Sequence, residues 1–184
     1  MIKQIAASGW TPTDTDYDGA CNLLDEQGYK HLGDGTFSTV FDNNTTVIKV
    51  STVIHNMNAL HWLEWCQSHP SKHVPKIGQI ARYKAGSQRY FVAMIERFNH
   101  LATRKFVVDW CDRHGLQHCL NRRQDELKFM SSDVAKVKDK SLSQVIQAIL
   151  DLSTRGYACQ DMVIENLYQR GTDLVFVDPL TGGN

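Results

Sequence analysis

Residues 32–50 read LGDGTFSTVFDNNTTVIKV. Two glycines stand two residues apart, and Phe37, Thr39 and Phe41 then alternate with smaller residues, a pattern that allows little but a hairpin. Glycine accepts a positive φ without steric cost, so Gly33-Asp34-Gly35 suits a tight turn. Asp42-Asn43-Asn44 signals a second turn. Thr46–Val50 reads as the next strand, a β-branched run around one lysine, Lys49. A short Gly-x-Gly does not by itself distinguish an ordinary hairpin from a loop that covers phosphates.

The flanking segments extend the pattern. Residues 1–14 read as a leader or short helix. Residues 16–29 read as a helix ending at Gly28. Residues 55–67 form a further helix in which Met57, Leu60 and Glu64 share one stripe. SHPSKHVPK breaks it with two prolines. IGQIARY and RYFVAMIERF read as strands joined at Gly86. Residues 103–113 and 118–130 read as helices. Residues 141–156 form a clear amphipathic helix, with Ser141 as N-cap and Gly156 as its stop. Two short strands, NLYQR and LVFVD, follow around Gly171-Thr172-Asp173. The strands concentrate early and the helices late, which gives an α+β class.

Composition narrows the function classes. The 184 residues suffice for one domain or two small lobes. Lys+Arg and Asp+Glu number 20 each, so the positive field that broad nucleic-acid binding needs is missing. No apolar run approaches the ~20 residues of a membrane span, and the N-terminus lacks the apolar stretch of a secretory signal. Five cysteines form no regular framework, which points to a reduced, cytoplasmic setting. In CDRHGLQHC, Cys111, His114, His118 and Cys119 have zinc-ligand chemistry. Adjacent His118-Cys119 is awkward for one tetrahedral centre, and a surface helix pair explains the stretch better.

The segment YACQDMVIENLYQRGTDLVFVDPLTG carries a second constellation. Asp161 and Asn166 lie five residues apart on a loop after the long helix, and Asp178 ends the next hairpin. Phosphoryl transfer from a nucleotide needs backbone N–H groups over the phosphates, a lysine on them, an Asp and an Asn for Mg²⁺, and an Asp to orient the attacking hydroxyl. Gly33/Gly35, Lys49, Glu64, Asp161/Asn166 and Asp178 appear here in the order in which protein kinases place them.

On GYKHLGDGTFSTVF, VIKV, VPKIGQI, QDMVIENLY and VDPL, the chain resembles protein kinases, and more narrowly the early serine/threonine kinases of short-tailed, coliphage-type bacteriophages. The resemblance spans about 28–180. It implies a minimal bilobal kinase fold: a leader over 1–27, a small antiparallel-sheet lobe over 28–97, and a reduced helical lobe over 98–184. ATP and Mg²⁺ would bind between the lobes. It also implies that Gly33, Asp34, Gly35, Phe37, Ser38 and Val40 cover the nucleotide and that Lys49 holds the phosphates, paired with Glu64. Ile95 and Glu96 would be the gatekeeper and first hinge residue, with Arg97 or Phe98 next. Asp161 would orient the acceptor hydroxyl, and Asn166 and Asp178 would hold Mg²⁺. The substrates would be host proteins in the host cytoplasm.

Four departures stand against the usual pattern. Ser38 replaces the third glycine, Gln160 an arginine, Val163 a lysine, and Pro179-Leu180 a Phe-Gly. A pseudokinase that docks on a host enzyme or defence protein is therefore an alternative reading. A small-molecule kinase is another, since its catalytic loop shares Asp-x4-Asn.

Overall fold

Alternation between apolar and polar residues over 38–52 and 77–96 builds one six-stranded sheet. Its strands are β1 (Thr11–Pro12), β2 (Lys30–Gly35), β3 (Ser38–Asp42), β4 (Thr46–Thr52), β5 (Ile77–Ala85) and β6 (Gln88–Glu96), in the order β1-β5-β6-β4-β3-β2. The short β1 runs parallel to β5, and every other pair is antiparallel. The computed structural model describes residues 10–53, 57–116, 120–121, 126–154 and 158–182. The chain forms two compact units, Met1–Leu60 with Ile77–Arg97 and His61–Lys76 with Phe98–Asn184.

In the first unit, helix α1 (Tyr17–Glu26) starts at Asp16, whose carboxylate accepts from the Gly19 amide, and the chain turns out of it at Gly28 with φ +80°. Phe41, Ile48, Val50 and Tyr90 form a buried cluster against which Tyr17, Ala20, Cys21 and Leu24 of α1 pack. Gly86, with φ +58°, closes β5 onto β6 as its position predicts. Two expectations fail. Thr11–Pro12 is a strand, not part of a leader helix, because Pro12 has no N–H for a helix interior and Thr13 donates to the Lys84 carbonyl at 3.0 Å. The glycines are not the turn of the first hairpin either. Gly35 pairs with Ser38, so the turn is Thr36-Phe37, and both Gly33 and Gly35 are strand residues outside the positive-φ set.

Helix α2 (Met57–Ser68) carries the division between the units, after Leu60. Its buried residues are Ala59, Leu60, Trp62, Leu63 and Cys66, whereas Met57 is 37% exposed. The apolar stripe is therefore centred one position off the expected one, and Glu64 lies half-buried at its edge.

The second unit holds α3 (Arg104–His114), α4 (Ser131–Lys136) and α5 (Lys140–Thr154) among short strands. The face Leu142, Val145, Ile146, Ile149 and Leu152 of α5 is buried, as its period predicts. Trp110 and Phe129 meet Phe176 edge-on at 6.0 and 5.5 Å between ring centroids. Strands β11 (Leu167–Arg170) and β12 (Asp173–Phe176) form the expected hairpin about Gly171. Among the described residues of 118–130, none belongs to the helix expected there. Residues 120–121 (β7) and 126–127 (β8) are extended, and β8 pairs with β10 (Met162–Val163). Leu127 and Phe129 are buried on either side of exposed Lys128, which is strand periodicity. Gly156 lies outside the described residues.

The N-cap of α5 is Asp139, not Ser141. Asp139 Oδ1 accepts from the amides of Ser141 at 2.9 Å and Leu142 at 3.3 Å and from the Ser141 hydroxyl at 2.8 Å, while Lys72 Nζ reaches Oδ2 at 3.0 Å. A carboxylate outcompetes a hydroxyl as acceptor at the positive end of a helix. Burial pushes this carboxyl up, but bonds from Ser141, Lys72, Leu142 and His73 outweigh it and hold it well below its ordinary 3.8. Its stabilisation is therefore complete above about pH 4 and is lost as pH falls further. Asp139→Asn keeps the cap but loses the charge. Thermal unfolding followed from pH 7 to pH 2 should show a lower Tm at neutrality and a flatter acid limb than wild type.

Candidate functional site

The register of the first sheet sorts the predicted nucleotide-binding residues by face. Gly33 pairs with Val40, Val40 with Lys49, and Lys49 with Ala93, so these four form one cross-strand row. Phe41, Ile48 and Val50 lie one residue away along β3 and β4 and pack with α1. Lys49 and Val40 therefore sit on the sheet face opposite α1. Ser38 pairs with Ser51 and Ile95 with Val47 on that same face. Lys49 is 6% exposed, and an ammonium so buried must meet acceptors.

The hairpin tip is tied down at Phe37, whose carbonyl accepts from the Thr52 amide and from Ser51 Oγ, both at 3.0 Å. The carboxylate of Asp34 turns toward Thr39 and His31. Ile95 is buried, and half-buried Glu96 ends β6 opposite Thr46. Arg97 Nε donates to both oxygens of buried Asp42, at 3.1 and 3.0 Å, and the chain leaves the first unit directly after it. Burial raises the Asp42 carboxyl, but Arg97 and the Asn44 amide hold it below its ordinary value.

In the second unit, three further predicted residues come together. Asp161 follows β9 (Ala158–Gln160), and Asn166 closes a short 3₁₀ turn over Ile164–Asn166. Asn166 Nδ2 donates to the Asp161 carbonyl at 2.8 Å and approaches its Oδ2 at 3.5 Å. An amide anchored through its nitrogen leaves Oδ1, a hard oxygen, for another partner. Residues 177–179 are pinned on both sides of Asp178. The Val177 amide donates to the Asn166 carbonyl at 3.1 Å, and Trp62 Nε1 donates to the Val177 carbonyl at 3.2 Å. The Asp161 amide donates to the Pro179 carbonyl at 2.8 Å, and Leu180 pairs with Gln160 in the ladder of β9 with β13 (Leu180–Gly182). Backbone bonds thus hold Asp161, Asn166 and Asp178 in one loop pair, with the donor set of two carboxylates and an amide oxygen that suits a hard divalent cation.

Spacing gives no hint of Trp62 or Gln160. Trp62 is fully buried and lies 115 residues from its acceptor. Gln160 accepts from the Phe129 amide at 2.8 Å and donates to the Phe129 carbonyl at 3.0 Å. It clamps the extended segment between β8 and α4. Val163 belongs to β10 and pairs with Glu126. Glu64 belongs to the second unit and Lys49 to the first.

Of the zinc-type residues, His118 and Cys119 lie outside the described residues. Burial pushes the Cys111 thiol up to about 12, far from the thiolate a metal needs. Among the described residues, no group of three or more His, Cys, Asp or Glu is placed to hold a metal ion. No helix there is long and apolar enough to cross a membrane.

No family model and no curated protein matches the sequence. Among solved structures, the chain is similar to the crystal structure of Rad53 1-466 in complex with AMP-PNP, at 14% identity and a TM-score of 0.40. The match covers 87% of this chain and 41% of that one, so the chain spans less than half the length of that structure. A likeness at that level does not define a class.

Proposed function

We propose that this protein transfers the γ-phosphoryl group of ATP, with Mg²⁺, to serine or threonine side chains of other proteins. The observation that carries the reading is how each unit by itself groups its share of the ordered motif. Gly33, Val40 and Lys49 share one row and one sheet face, while Asp161, Asn166 and Asp178 share one pinned loop pair. A glycine hairpin and an isolated Asp-x4-Asn each occur for ordinary structural reasons; phosphoryl transfer is the chemistry that uses both.

In this reading the backbone of Gly33–Ser38 lies over the phosphates, and Lys49, oriented by Glu64, neutralises them. Ile95 and Glu96 meet the base. Mg²⁺, held by Asn166 Oδ1 and the Asp178 carboxylate, would supply further positive charge against the phosphates. Asp161 takes the proton from the acceptor hydroxyl as its oxygen bonds to the γ-phosphorus. The bond from that phosphorus to the β–γ bridging oxygen breaks, and ADP leaves. The sequence resemblance to phage early kinases supports host proteins as acceptors and the host cytoplasm as the setting.

Purified protein with γ-³²P-ATP, Mg²⁺ and a bacterial lysate should label lysate proteins, itself, or both, with the label on phosphoserine or phosphothreonine after acid hydrolysis. If the wild-type protein labels nothing, the enzymatic reading is wrong, and Gln160 and Val163 then mark a binding module on the same fold.

A further inference from the structure

The glycine hairpin is held by its backbone ladder, with little side-chain packing from its glycines. β2 is an edge strand of the sheet, and Leu32 on it is 49% exposed. A side chain built at Gly33 would touch nothing within 4 Å, and one built at Gly35 would meet only Ser38. Glycines in a strand offer no side-chain packing and increase the freedom lost on ordering. The Phe37 carbonyl is fixed at the tip, and beside the ladder the middle of the hairpin has a side-chain restraint in Asp34.

That restraint comes from α1. Thr39 Oγ1 donates to Asp34 Oδ1 at 2.8 Å, and Tyr17 Oη lies 2.8 Å from Thr39 Oγ1. A threonine hydroxyl has one proton, and here it goes to the carboxylate, so Tyr17 must be the donor to Thr39. His31 Nε2 closes the chain on the same Asp34 oxygen at 3.1 Å. The result is a directed relay from a helix, through β3, to the residue between the two glycines. It runs on the α1 side of the sheet, opposite Lys49. Asp34 faces a purpose other than phosphate contact, since a carboxylate aimed at phosphates would repel them.

We propose that Tyr17 is a positioning residue: through Thr39 and Asp34 it holds the Gly33–Ser38 hairpin in the form that receives nucleotide phosphates. The nucleotide half of this inference rests on the proposed function; the restraint itself does not. α1 thereby becomes a handle on the site, since anything that draws Tyr17 away from Thr39 loosens the hairpin.

Tyr17→Phe removes one hydroxyl and keeps the ring packed on the sheet. Two measurements on the full chain test the idea. Amide hydrogen exchange without nucleotide should speed up over Gly33–Val40 in Tyr17→Phe and stay unchanged in α5. The Kd for Mg·ATP by calorimetry should rise about two- to tenfold, the loss of one hydrogen bond. Thr39→Val should do the same, and the double variant should be no worse than Thr39→Val alone. Faster exchange with an unchanged Kd would make the relay merely structural and overturn the positioning role. Unchanged exchange would overturn the restraint. If wild type binds no Mg·ATP, the nucleotide reading and the positioning role fall together, and exchange still decides whether α1 restrains the hairpin.

Discussion

Asp161→Asn should leave Mg·ATP affinity nearly unchanged while lowering phosphoryl transfer by about 10²–10⁴-fold, the usual effect of losing a general base. The structure makes this substitution unusually clean. The backbone of Asp161 is fixed at its amide by the Pro179 carbonyl and at its carbonyl by Asn166 Nδ2, two bonds that the substitution leaves in place. Asparagine has the same shape and cannot take the proton. Initial rates of ³²P transfer to a seryl peptide, with calorimetric Kd values for Mg·ATP beside them, separate the two effects. A rate within threefold of wild type would remove Asp161 from the reaction. A large loss of affinity would mean that Asp161 binds rather than positions.

Val163 bears on the same measurement. A lysine two residues after the base would stabilise charge on the transferring group, and here a half-buried valine occupies that place in β10. The wild-type rate is accordingly expected to be low, and the comparison must be made at high enzyme concentration. Gln160 has a different occupation. Its amide clamps Phe129 at both N–H and carbonyl, a fold-building role that needs no charge.

The parts of this fold legible in the sequence are those whose causes are local. Alternation over 38–52 and 77–96 gave the strands, the glycine at 86 the turn between the last two, and the 3.6-residue period of 142–152 the buried face of α5. Where the cause lay elsewhere in the chain, the reading failed. Thr11–Pro12 is extended because of Tyr83 and Lys84, and 126–127 because of Met162 and Val163. Asp139 caps α5 in place of Ser141 with Lys72 as a further partner, and that lysine is distant in sequence. The site divides in the same way. Asp161 and Asn166 could be paired from their spacing alone. The tie from Trp62 to Val177 could not, because no local pattern links an indole on α2 to a carbonyl beside Asp178.

The second large effect concerns binding. Mg·ATP at about 100 times its Kd stabilises the folded state by about 2.7 kcal/mol, which for a chain of this size raises Tm by roughly 5–10 °C. Lys49→Met and Asp178→Ala should each abolish that rise. Methionine is the informative replacement at Lys49. The side chain is buried in a row with Val40 and Ala93, so truncation to alanine would add a cavity to the loss of charge. Methionine fills nearly the same volume and adds no cavity, but it leaves the acceptors of the buried ammonium unpaired, so the nucleotide-free variant should melt below wild type and the shift is read against its own nucleotide-free Tm. Asp178 lies in a segment whose backbone neighbours are fixed by Asn166, Trp62 and Asp161, and its variant is likewise read against its own nucleotide-free Tm. The two variants should differ with ATP in EDTA. Any shift that wild type shows without the divalent ion should survive in Asp178→Ala, if its part is the proposed one of holding Mg²⁺, and should vanish in Lys49→Met, if its part is the proposed one of holding the phosphates directly. A full Mg·ATP shift in both variants would show that the nucleotide, if it binds, binds elsewhere.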